Sequence, residues 1–98
     1  MRDATEGLRM PKPTAHQVAA IYIGNLSYES NELSLRDHLT FLGLEVISTR
    51  VVFNRETGAP RGFAFADVVG DLNPVIELVN GTRLDGRSLR VSAAIRRE

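Results

Sequence analysis

At 98 residues, with 43% hydrophobic and 24% charged content, the chain suits one globular domain and excludes an ordinary disordered polymer. The absence of cysteine excludes disulfides and thiolate metal sites, and no apolar run approaches the roughly 20 residues that a membrane-spanning helix needs. Twelve basic residues balance twelve acidic ones, which argues against a duplex-DNA binder held by backbone neutralisation; eleven of the twelve are arginine, which stacks on bases and forks to phosphate.

Residues 1–18 show neither helical nor strand period and carry Pro11 and Pro13, so they read as a flexible leader or linker. They contain no apolar signal-peptide core. With no cysteine either, the expectation is an intracellular protein, nucleus and cytoplasm being indistinguishable. The domain is expected over 19–95, followed by a short basic tail, 96–98, whose Arg96 and Arg97 either close over a ligand or stay solvated.

Ala20 to Gly24 alternates β-branched and aromatic residues as a strand does, with Ile21 and Ile23 on one side and Tyr22 on the other. Asn31 suits a helix N-cap, Leu35, Leu39 and Leu42 recur at helical spacing, and Gly43 suits the stop. Val46–Phe53 and Gly62–Val69 read as two strands joined by the turn-rich segment 54–60. A second helix takes Pro74 in its first turn, with Leu72, Val75, Ile76 and Val79 as its apolar stripe. After the Asp85-Gly86 turn, Arg87–Ala93 reads as the last strand, with Leu89 and Val91 inward.

The order β-α-β-β-α-β defines an α+β, ferredoxin-like split βαβ domain: a four-stranded antiparallel sheet with both helices on one face. Alternation then turns Ala64, Ala66 and Val68 toward the helices and leaves Phe63, Phe65 and Tyr22 on the uncovered face. An exposed cluster of three rings calls for a ligand. Arg50 and Arg90 project onto the same face by alternation, whereas the acidic Glu32, Asp37 and Glu77 fall on the helices. The local charge of the open face is therefore expected to be positive although the total is zero.

The stretch Arg61-Gly62-Phe63-Ala64-Phe65-Ala66-Asp67-Val68 matches five of the seven specified positions of the long ribonucleoprotein signature. Ile21-Tyr22-Ile23-Gly24-Asn25-Leu26 matches the short one, aliphatic-aromatic-aliphatic-x-N-L. On these motifs residues 20–94 resemble the RNA recognition motif family. The resemblance implies that Tyr22 and Phe65 each stack a base, that Phe63 packs against a sugar or neighbouring base, and that Arg61 meets a phosphate. It also implies a non-catalytic module for single-stranded RNA in RNA processing or regulation; a lone domain of zero net charge should bind weakly, so it is expected to work beside a second RNA-binding module or a protein partner. No cofactor and no membrane are expected.

The chain departs from the family pattern at two of the specified positions of the long signature. Ala66 and Val68 stand where larger residues are usual, and both turn into the core. Asp67 falls on the open face, where a carboxylate repels phosphate but can accept from a cytosine amino group. It is read as a residue that biases base choice. Tyr28 reads as a packing residue. His16 and His38 show no metal-ligand spacing, and no nucleophile triad or phosphate-cradling glycine loop is present. The competing reading is a protein-interaction module on the same fold, using the helical face.

Overall fold

The computed structural model describes residues 17–94. The basic tail and all but the end of the predicted leader lie outside the described residues. The first strand, β1 (Val18–Gly24), starts at a residue that the sequence assigns to the leader, and the Gln17 carbonyl accepts from Gly70 N at 3.0 Å. The folded unit therefore takes in both residues.

Helix α1 (Glu32–Phe41) begins where Asn31 makes a reciprocal cap: Ser34 N donates to Asn31 Oδ1 at 2.8 Å, and Asn31 N donates to Ser34 Oγ at 2.9 Å. Leu35 and Leu39 are fully buried against the sheet. Just past the last turn, Gly43 takes a φ of +99°, the left-handed geometry that lets a helix end without strain. Strands β2 (Glu45–Phe53) and β3 (Pro60–Val69) form the predicted hairpin, each slightly longer than its apolar run. Helix α2 (Leu72–Val79) has Pro74 in its first turn and buries Val75 and Val79.

The last predicted strand is corrected. Arg87–Ala93 does not run as one piece. Asp85 and Gly86, with φ of 51° and 84°, make a tight hairpin turn that folds the chain back on the residues just before it. Strand β4 (Arg83–Leu84) thus pairs with β5 (Arg87–Ser88), and Leu89 N donates to the Thr82 carbonyl. Only β6 (Arg90–Ala93) joins the main sheet, alongside β1. Leu89 and Val91 are buried as expected.

The four-stranded sheet has the order β2-β3-β1-β6, with every pairing antiparallel, as the split βαβ reading implies. Its core lies on the helical side and centres on Ile21, Ile23, Leu35, Leu39, Val68, Val79 and Leu89. The other side carries no helix. The site is built there.

Candidate nucleic-acid interface

Directly opposed residues in an antiparallel ladder point to the same face, so the register reads out what the open side carries. One row runs Arg50–Phe65–Tyr22–Ser92 across all four strands. The next runs Ser48–Asp67–Ala20. In the other direction Gly24 faces Arg90. Arg50 and Arg90 are both exposed on this face, one at each edge strand.

The three predicted rings meet. Tyr22 and Phe63 lie 5.6 Å apart between centroids and 35° apart in plane; Tyr22 and Phe65 lie at 5.8 Å and 63°; Phe63 and Phe65 lie at 6.0 Å and 84°. These separations fall within the range of attractive offset and edge-to-face ring pairs. Phe65 is 37% exposed, while Tyr22 and Phe63 are half-buried by one another and by the sheet. The Arg61 guanidinium carbon stands 5.7 Å from the Phe63 centroid, within cation–π range.

Asp67 lies one row from Tyr22 and Phe65 and accepts from Ser48 Oγ at 3.1 Å. Ser48 does not stand out in the sequence; a register shift between Val46 and Ser48 turns its hydroxyl to the open face. Tyr28 departs from expectation. It is 69% exposed, so it does not pack into the core.

Behind the sheet, His38 Nε2 lies 2.9 Å from Thr82 Oγ1. Burial pushes its pKa below the usual histidine range, and the nearby Asp85 carboxylate opposes that shift. Among the described residues no group of three or more His, Cys, Asp or Glu side chains could hold a metal, and no helix is long and apolar enough to cross a membrane.

Comparison with known proteins returns one family model, the RNA recognition motif, matching residues 21–90. The chain is 41% identical over 76 residues to the 29 kDa ribonucleoprotein B, chloroplastic, of Nicotiana sylvestris, covering 76% of the chain and 26% of that protein. It is 33% identical over 91 residues to cleavage stimulation factor subunit 2 of Homo sapiens, covering 90% of the chain and 16% of that protein. The chain thus spans about a quarter or less of these two relatives. Among solved structures, RNA Binding Protein PG1 superposes with a TM-score of 0.68 at 38% identity, covering 82% of this chain and 98% of that one. The Rna15 RRM with bound RNA (GU) superposes with a TM-score of 0.62 at 26% identity, covering 79% and 83% respectively.

Proposed function

The chain belongs to the RNA recognition motif family, and from that premise we propose a non-catalytic module that holds single-stranded RNA on the open face of its sheet. One observation carries the reading: Tyr22, Phe63 and Phe65 form a contiguous ring cluster on the side that the helices leave uncovered. Every base has a π-face, and stacking on an aromatic side chain contributes about 1–3 kcal/mol per base. Tyr22 and Phe65 each stack a base, Phe63 supports a sugar or neighbouring base, and Arg61 meets a phosphate. Arg50 and Arg90 flank the track from the two edge strands. Asp67, held by Ser48, accepts from a base edge and biases which base is taken.

A segment of about two to four nucleotides fits a sheet face of this kind. Stacking outweighs bulk charge in a chain whose formal net charge is zero, so the salt dependence is shallow. The module acts inside the cell, in RNA processing or regulation, with affinity raised by a linked second module or a protein partner.

The test titrates random single-stranded RNA into the wild type and a Phe63→Ala/Phe65→Ala variant, with the fold checked by circular dichroism. The double variant is expected to lose nearly all binding while keeping its spectrum. Undiminished binding would sink the reading.

A second reading rests on the helical face, where Phe41 is 85% exposed and Leu33 and Leu78 are also exposed. Such apolar exposure suits a protein contact made alongside RNA binding. Phe41→Ser is expected to leave RNA affinity unchanged while weakening capture of that partner.

A further inference from the structure

The chain holds one Asn-Gly pair, Asn80-Gly81, where α2 gives way to the small hairpin. The pair carries its own nucleophile and electrophile, because a bond from the Gly81 nitrogen to the Asn80 side-chain carbonyl carbon closes a five-membered ring. Glycine has no Cβ to shield that nitrogen or to restrict the rotation that closure needs. Both residues are exposed, so water reaches them.

Folding ties the two reacting groups to separate partners. Gly81 N donates to the Leu89 carbonyl at 2.8 Å, and Asn80 Oδ1 accepts from Val91 N at 2.9 Å. Asn80 itself leaves α2 in extended geometry, with a ψ of 129°. Its amide also completes the sheet. Ala94 N donates to the Ala20 carbonyl of β1, and N–H groups alternate along an antiparallel strand, so Val91 N points away from β1. β6 has no strand on that side, and Asn80 stands in for one where a bare N–H would invite another chain. The latch is small. α2 spans eight residues, β6 four, and β4 and β5 two each, so few bonds hold this corner closed.

We propose that Asn80-Gly81 is a self-modification site, latched by the folded corner, whose conversion prevents β6 from docking again. When the corner opens, the Gly81 nitrogen loses its proton to solvent and bonds to Asn80 Cγ. The Cγ–Nδ2 bond breaks, and the side-chain nitrogen leaves as ammonia with a proton taken from water. Water then opens the resulting succinimide at either carbonyl, and nothing is oxidised or reduced. Addition at Cγ gives aspartate on an unaltered main chain, which keeps an oxygen for Val91 N. Addition at the Asn80 backbone carbonyl gives isoaspartate, whose main chain runs through Cβ and Cγ and is one methylene longer. The carbonyl that capped β6 is then the peptide link to Gly81, and the cap is lost. β6 carries Arg90 and Ser92 on the open face, so its release removes one rim of that face.

The full chain is incubated at mildly alkaline pH, folded and in guanidinium chloride above its unfolding midpoint, with conversion followed by tryptic mapping and mass spectrometry. Trypsin cuts after Arg83, so Asn80 and the neighbouring Asp85-Gly86 pair fall on separate peptides. Conversion at Asn80 is expected to run more than about tenfold slower in the folded chain. Equal rates overturn the latch, and an unfolded chain that does not convert overturns the site. Chain carrying isoaspartate at position 80 alone is then isolated, returned to native buffer and compared with the wild type and Asn80→Asp. It is expected to lose hydrogen-exchange protection at Val91 and Ala94 and to melt lower, whereas Asn80→Asp keeps both. Wild-type protection in the isoaspartyl chain overturns the block on β6. An equal loss in Asn80→Asp overturns its assignment to the rerouted main chain.

Discussion

The ring of Tyr22 lies across Gly24, two residues further along the same strand: a Cβ on Gly24 would stand 2.9 Å from the tyrosine hydroxyl and 3.0 Å from ring carbon Cε2. The missing side chain lets the ring lie down against the sheet and reach Phe63 and Phe65. Gly24 therefore acts on the stacking surface through Tyr22. Gly24→Ala is expected to lift the ring and weaken RNA binding about fivefold, equivalent to ~1 kcal/mol of stacking. Stability should move by less than about 1 kcal/mol, since the obstacle is the far end of a flexible side chain. A double-mutant cycle checks the route: in a Tyr22→Ala background, Gly24→Ala should have no further effect on affinity.

Asp67→Ala should change the ranking of bases more than the overall affinity. The measurement is relative binding to short RNAs that differ at one position. A cytosine preference present in the wild type and lost in the variant is expected. Unchanged relative binding would remove Asp67 from base selection. Ser48→Ala, which deletes one donor to the carboxylate, should produce a weaker form of the same change.

His38 gives the fold a pH dependence. Burial holds its folded-state pKa below the unfolded value near 6.5, so the unfolded chain binds more protons between those two points. The contribution is fully present above about pH 6.5 and is lost as pH falls through the folded pKa. Urea midpoints should therefore decline as pH falls below about 6.5. His38→Gln should flatten that part of the profile.

The reciprocal cap at Asn31 is a stability element remote from the rings. Asn31→Ala should lower unfolding free energy by about 1 kcal/mol while leaving RNA affinity within error of the wild type. Any larger loss of binding would mean that the α1 start communicates with the open face.

The layered fold and the ring cluster were legible because alternation in β1 and β3 is strict. Ile21, Ile23, Ala64 and Ala66 go inward, so Tyr22, Phe63 and Phe65 have one side left. Asn31, Gly43 and Pro74 announced the helix ends for reasons of local geometry. The failures are all non-local or irregular. The register shift at Ile47 leaves no mark in composition: counted from buried Val51, Arg50 falls on the open face, but counted from Val46 it falls on the helical one. The break at Leu89 follows from a tight turn outcompeting extension along β1, and no window within 87–93 contains that contest. Tyr28 reads as a packing residue, yet it is 69% exposed, and its ring edge lies beside Gly62, which is 34 residues away in the chain. The joining of Arg87 to Asn25 across 62 residues is equally invisible in either segment alone.

The tilts within the ring cluster bear on the shape of what it can grip. Bases lying flat on Tyr22, Phe63 and Phe65 would inherit planes turned 35°, 63° and 84° from one another. Successive bases in an A-form helix are nearly parallel, so no pre-stacked strand can satisfy all three rings together. A captured strand must surrender its own base–base stacking and splay its nucleotides individually. Purine runs, which stack strongly on themselves, give up more in doing so than uridine-rich ones. If the rings stack bases as proposed, the cluster would discriminate by conformation before any hydrogen bond reads a base edge.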